Sequence, residues 1–321
     1  MPDRRFSTLC TIPAYAAFTV AILFACSIFN ATYAQEEVIR VDTNIVAVPV
    51  SVLDRGGRYI STLKREDFKV FENGIEQEIT EFGTIDSPVT VLMLLERSGI
   101  IRFQLPKLVD AANAFVRQMR PDDSLIAVTF GGGTETVIKE TKVKDVIKGV
   151  RIEARSEDRY GIYMHESIDE ALKIMRKLPG RKAIVVFSEG NDSGKYSSAK
   201  NNLRDAVEGD ATIYTIKFNT PTSPPSSIAK AKWYLDEVAR RRQFMIDLAT
   251  RTGGRAFQVE QIENLDAAFA EIAAEVVRQY SLGYTPAKPP AKNERRQIKV
   301  KVNQPDVVLR ARKEVVFKMA K

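Results

Sequence analysis

Two carboxylates close two apolar runs in this chain, and each opens a polar loop. Val91–Leu95 (VLMLL) breaks off at Glu96, Arg97, Ser98 and Gly99, and Ala183–Phe187 (AIVVF) breaks off at Ser188, Glu189 and Gly190. If the fold brings Glu96 and Glu189 together, two kinds of chemistry are open to them. One acid can donate a proton while the other accepts one or attacks, which is hydrolytic chemistry. Otherwise the pair is a binding feature, and mutual repulsion raises the pKa of one acid unless a base, for which Arg97 is the local candidate, offsets it. Ser98 and Ser188 would need a base to act as nucleophiles, and His165 is the only histidine. Neither serine lies in a G-x-S-x-G elbow, and no second His or Cys stands near His165 at zinc-binding spacing. His165 therefore reads as a packed or surface side chain.

The elements that position these loops follow from the apolar pattern. Parallel strands are covered on both faces and read as continuous apolar runs, and ligands of open α/β sheets bind beyond the carboxyl ends of the strands. From Val89 onward strands alternate with helices, with strands expected at 89–95, 124–130, 135–139, 182–188, 211–218 and 255–258. The fold class is α/β, a doubly wound and mostly parallel sheet. Ile168, Ala171, Leu172 and Met175 form one helical stripe; Leu265, Ala268, Phe269, Ile272, Val276 and Val277 form another. Gly131-Gly132-Gly133 is expected to turn one strand back as an antiparallel edge. It is not a phosphate loop, because no G-x-G-x-x-G and no Lys-Ser/Thr accompany it.

Asn191-Asp192-Ser193 lies between Gly190 and Gly194 and reads as a turn beside Glu189. Thr220–Ser227 (TPTSPPSS) is too rich in proline for regular structure. The long helix after it, Ile228–Thr252, ends at Gly253-Gly254, and its Trp233 and Tyr234 are expected to pack on the sheet.

A second kind of pattern flanks this region. Val46–Val52 alternates apolar and other residues, the period of a strand with one buried face, and Asn73-Gly74 marks a hairpin. Asp86-Ser87-Pro88 punctuates the chain. After Tyr280, segments 281–285, 297–302 and 307–311, with a turn at Gln304-Pro305-Asp306, return to strand character. They are too few to fold alone and are expected to pair with the N-terminal strands as a small accessory β unit. The organisation is thus a leader over 1–34, a β segment over 35–87, the α/β domain over 88–280 and a C-terminal β segment over 281–321.

The leader is read from Arg4 and Arg5, an apolar stretch from Ile12 to Phe29 and the small-residue pattern Thr32-Tyr33-Ala34. This is the pattern of an export signal cut after Ala34, with a retained anchor or lipidation at Cys26 as the alternatives. Cys10 and Cys26 both lie in it, so the mature chain would have no thiol, disulfide or thiolate metal site. The expected location is secreted or periplasmic. At 321 residues and 44% hydrophobic the chain can build a sizeable core. The net charge of +7, concentrated in Arg240-Arg241-Arg242 and Lys292–Lys301, comes without a nucleic-acid recognition motif. It suits anionic envelope partners or a membrane surface instead.

Several stretches taken in order carry a family resemblance. They are Val50–Phe71 followed by Asn73-Gly74, VTVLMLLERSG, RKAIVVFSEGNDSG, LATRTGGRAF at 248–257 and QYSLGYTP at 279–286. Together they resemble the von Willebrand factor A-related proteins of bacteria, in particular exported ones with a β segment on each side of the A domain. The resemblance implies a doubly wound sheet used for binding rather than turnover. It also implies a metal pattern of Asp-x-Ser-x-Ser, a threonine and a later aspartate. Carried over, these positions are Glu96, Ser98, Ile100, Ile162 and Glu189, and only Ser98 keeps the family's residue.

Mg²⁺ wants six oxygens in near-octahedral geometry at ~2.1 Å, and isoleucine offers none. No cofactor is therefore expected, and any Mg or Mn would rest on Glu96, Ser98 and Glu189. The resulting expectation is a protein-binding, adhesion or scaffold-like module. Its ligand-binding loops would include Glu96, Arg97, Ser98, Gly99, Ile162 and Glu189. A metal-dependent adhesion module and a cell-envelope hydrolase are the alternatives.

Overall fold

The computed structural model describes residues 45–98, 101, 104–155, 158, 161–219 and 228–317. The expected leader with Cys10 and Cys26, the proline-rich loop, Gly99 and Ile100 lie outside the described residues. The central sheet contains β5 (Val89–Glu96), β6 (Ser124–Phe130), β7 (Thr134–Lys142), β8 (Arg181–Ser188), β9 (Thr212–Phe218) and β10 (Ala256–Val259). Its order is β10-β9-β8-β5-β6-β7, and every pairing is parallel except β6 with β7. Gly131–Gly133 makes that reversal, with Phe130 opposite Thr134.

Helices cover both faces because both faces of these strands are apolar. Alternate residues Val91, Met93 and Leu95 meet α1 (Leu105–Gln118) and α5 (Leu265–Val276) in one core. Leu92 and Leu94 meet α2 (Met164–Arg176), α3 (Ala199–Glu208) and α4 (Ile228–Arg251) in the other. The stripes Ile168-Ala171-Leu172-Met175 and Leu265-Ala268-Phe269-Ile272-Val276 are buried at helical spacing.

α4 departs from expectation. Its first buried side chain among those described is Phe244, and Trp233 is 63% exposed with Tyr234 half-buried. Trp233 therefore does not pack on the sheet. The helix ends where Gly253 takes φ +88°. A Cβ at that position would come 2.7 Å from the backbone nitrogen of Arg312, so a glycine is required twice over.

The flanking segments build two small sheets around one core, with N- and C-terminal strands paired in each. β1 (Val46–Leu53), β4 (Ile79–Gly83), β11 (Tyr280–Tyr284) and β13 (Val308–Ala311) form the order β13-β1-β11-β4. β2 (Phe68–Glu72), β3 (Ile75–Gln77), β12 (Arg295–Val302) and β14 (Glu314–Val316) form β14-β12-β2-β3. Asn73 and Gly74, at φ 48° and 85°, turn β2 into β3, as an Asn-Gly hairpin demands. Val46, Val48, Val50 and Val52 share a core with Phe68, Val70, Leu282, Tyr284 and Ile298.

The alternation in β1 does not mean that its second face meets water. Ser51 is fully buried on that face, against the α/β domain. The contact there is polar. Glu275 of α5, with no exposure, accepts hydrogen bonds from Ser51 Oγ at 3.1 Å, Tyr59 Oη at 3.1 Å and Arg310 Nη1 at 3.0 Å. Burial, reinforced by this carboxylate, pushes the Tyr59 phenol up to about 12. Arg181 donates to the carbonyls of Ser87 at 2.6 Å and Val276 at 2.7 Å, tying the start of β5 to the end of α5.

Glu275→Ala leaves three donors without their shared acceptor and is expected to cost about 3 kcal/mol. Urea denaturation measures it. A loss within about 0.5 kcal/mol, the scale of a neutral surface substitution, would show that the junction does not depend on this carboxylate.

Candidate functional site

Glu96 ends β5 and Ser188 ends β8, one step beyond the paired residues Leu95 and Phe187. In a parallel sheet, neighbours in register point to the same face, so Glu96, Ser188 and Lys217 of β9, the register partner of Ser188, form a row. Phe130 of β6 flanks Glu96 on the other side. The acid and the hydroxyl meet directly. Ser188 Oγ donates to Glu96 Oε2 at 2.6 Å, and the Glu189 amide donates to the same oxygen at 2.9 Å. The Gly190 amide donates back to Ser188 Oγ at 2.9 Å.

Burial raises the pKa of Glu96; the Ser188 hydroxyl opposes this most, followed by Ser98 and the Glu189 amide. Ser98 Oγ makes no hydrogen bond of normal geometry among the described residues, so its influence is that of a nearby hydroxyl dipole. Repulsion from Glu189 adds to the rise only weakly. The sequence expectation of a raised acid is thus met, but desolvation and not the second carboxylate is its main cause.

Arg97 does not offset the pair. Its guanidinium is buried against Asp158, with Nη1 2.9 Å from Oδ2, and reaches Glu135 at 4.0 Å. Asp158 also accepts from the amides of Gly132 at 3.2 Å and Arg155 at 3.0 Å. A methyl at Gly131 would overlap the Asp158 carboxylate, so the glycine run makes room for a buried ion pair as well as a turn. The base that faces the two glutamates is Lys217. Burial lowers its pKa, the Glu189 carboxylate opposes this most, and Arg241 and Arg242 reinforce it.

The remaining expected loop residues are largely withdrawn from the surface. Glu96, Arg97, Ser98 and Glu189 are all buried. Ile162 is no ligand contact either: its side chain joins the core formed by Leu94, Phe130 and Met164. Its carbonyl accepts from the Ser193 amide at 2.6 Å. An apolar side chain next to that core gains more by burial than by lining a polar loop.

Asn191-Asp192-Ser193 does more than turn the chain. Asn191 Nδ2 donates to Glu189 at 3.0 Å and Asn191 Oδ1 accepts from Arg241 of α4. Asp192 Oδ1 accepts the His165 amide at 3.0 Å in the first turn of α2, and Oδ2 accepts the Gly194 amide at 3.0 Å. His165 packs edge-on against Phe244, 4.8 Å between ring centres, and Nδ1 lies 2.8 Å from Asn202 Oδ1. It is a structural histidine, engaged away from Ser98 and Ser188.

No protein-family model matches the chain, and no curated protein matches it in sequence. Its neighbours among solved structures include von Willebrand factor A domains. One is the von Willebrand factor type A protein of Catenulispora acidiphila, 12% identical, with 79% of this chain and 74% of that chain covered and a TM-score of 0.47. Another is the ArnB paralog VWA2 from Sulfolobus acidocaldarius, 12% identical, with 86% and 76% covered and a TM-score of 0.46. A third is the domain of the type V pili tip protein Mfa5 from Porphyromonas gingivalis, 13% identical, with 58% and 94% covered and a TM-score of 0.43. At these identities the likeness is one of fold.

The metal pattern carried over from the von Willebrand factor A resemblance can be tested on these side chains. Two buried oxygens, Glu96 Oε1 and Ser98 Oγ, lack a hydrogen-bond partner among the described residues. Glu96 Oε2 already accepts two hydrogen bonds, and Glu189 is engaged by Asn191. Among the described residues no group of three His, Cys, Asp or Glu could hold an ion. An ion here would find only these two oxygens unpartnered among the described side chains and would draw its other ligands from water.

Sequence reasoning missed Lys217 and Asp158. A lysine near the end of the otherwise apolar run TIYTIKF was a usable signal for the first. Asp158 sits in an irregular segment with no signal at all.

Because the folded chain holds the Glu96 proton more tightly than the unfolded chain, this residue's contribution is greatest below the ordinary glutamate range. It falls as pH rises through the raised value. Glu96→Gln keeps an acceptor for Ser188 and removes the titration. The difference in Tm between pH ~5 and pH ~8 should therefore be smaller in the variant than in wild type. Equal differences would place the titration elsewhere. Asp158→Ala strands a buried guanidinium and is expected to cost about 3–5 kcal/mol in urea denaturation. A variant as stable as wild type would show that Arg97 finds water or another acid.

Proposed function

We propose that this chain is an exported, protein-binding von Willebrand factor A-type module, of adhesion or scaffold kind, that works without a divalent cation. The observation that carries this reading is the Glu96 carboxylate, which bonds the Ser188 hydroxyl and the Glu189 amide where the resemblance would put a metal. Hydrogen-bond donors from the protein take the place of a cation, and Lys217 supplies a tethered positive charge in the same row. The arrangement supports binding rather than turnover, since a fully buried Glu96 offers a substrate no acid or base.

The leader-like residues around Arg4, Arg5 and Ala34 support export. No helix among the described residues is long and apolar enough to cross a membrane. The partner is another protein, or an anionic component of the envelope attracted by the positive charge.

Thermal melting in EDTA, Mg²⁺ and Mn²⁺ tests the metal-independent reading. An ion bound at a hundredfold excess over its Kd would stabilise the fold by about 2.7 kcal/mol, so its effect is easily seen. The expected result is one Tm in all three conditions. A Tm that rises with either ion, and loses that rise in Ser98→Ala, would overturn the proposal.

A further inference from the structure

A wide opening lies along β7. This strand is the last in the central sheet, and no strand pairs with its outer edge among the described residues. A cleft of about 700 Å³ runs beside it, walled on the far side by the segment from Asp145 to Arg155. A cleft of this size is in the range that holds ligands.

The far wall is held off the strand by specific contacts. Asn113 of α1 accepts from the Val150 amide at 2.8 Å and donates to the Val150 carbonyl at 3.0 Å. Gly149, at φ +65°, lets the chain pass Asn113, where a Cβ would come within 2.5 Å of its oxygen. The backbone of Val150 is therefore satisfied on α1 and not on β7. An ion pair of Arg155 with Glu135 lies at one end of the cleft, and the short turn at Val143–Asp145 lies at the other.

We propose that this edge is a docking site for an extended acidic segment of a partner protein, added to β7 as a seventh strand. The proposal rests on the protein-binding reading and names where and what the chain binds. The edge of a sheet offers backbone N–H and C=O groups to an incoming strand, and side-chain contacts then choose the sequence. Half-buried Val137 and Ile138, at a break in the β6–β7 register, line the cleft with Val146 and suit apolar side chains of such a strand. Exposed Lys139, Lys148 and Arg151 line it too, against Asp145 and Glu153, with Glu135 already paired to Arg155. That balance favours carboxylates on the strand's other face and disfavours lysines.

The test uses full-length protein and a fluorescent nine-residue peptide of alternating valine and glutamate, matched to the nine residues of β7. Two controls replace glutamate by lysine or put proline at the centre. Anisotropy should show binding of the Val/Glu peptide below ~1 mM and at least about tenfold weaker binding of both controls. Lys139→Glu/Lys148→Glu/Arg151→Glu changes exposed side chains only. It should keep the wild-type Tm and lose at least about tenfold in affinity. Hydrogen exchange of the amides from Thr136 to Thr141 should slow when the peptide is bound.

Absence of binding at ~1 mM, equal binding of the proline or lysine control, or unchanged binding by the triple variant would each overturn the docking site. A natural partner bound equally by wild type and triple variant would also remove the site, yet leave the protein-binding reading standing. The two failures are thus distinguishable.

Discussion

The architecture depends on a carboxylate that water never reaches. Glu275 sits at the end of α5 and accepts from a strand, a turn and a second strand, all of which belong to the flanking β segments. A buried carboxylate without hydrogen-bond partners is costly, and docking of the flanking sheets supplies three of them. Their docking in turn covers the side of the α/β domain where Arg181 gathers the carbonyls of Ser87 and Val276. A polar junction of this kind fixes orientation, because hydrogen bonds tolerate less sliding than apolar contact does.

The same logic governs the other end of the sheet. Carboxyl ends of parallel strands leave polar groups that must find partners, and here they find each other. Glu96 joins β5 to the chain after β8, and Arg97 turns the opposite way to Asp158 beneath the glycine run. Adjacent residues on one strand thus serve two separate buried networks. The polar groups described at this strand end are spent largely on cohesion.

Much of this was legible in the sequence. Period and continuity of apolar residues located the strands of the central sheet to within a few residues, since burial on two faces leaves little room for polar substitutions. Asn73-Gly74 marked a reversal for a steric reason that any chain must obey, and the glycines at 131–133 marked a second. The meeting of Glu96 with the Ser188–Glu189 turn was legible as well, because strand ends in register bring such residues together.

What did not show was direction. Nothing in the string of residues says that Arg97 points to Asp158, that Ile162 turns into a core, or that the second face of β1 is dry. Trp233 illustrates a further limit, since an apolar residue on a helix packs only if the helix lies over something. The buried side chains described in α4 begin only at Phe244.

The two ends of the described chain also meet. Ile45, just before β1, and Phe317, just after β14, border the same small cavity beside Arg312. A chain pulled from both directions would therefore load the flanking β structure first. Its strands, cross-linked by the buried Glu72–Arg296 ion pair at 2.6 Å, would bear the load.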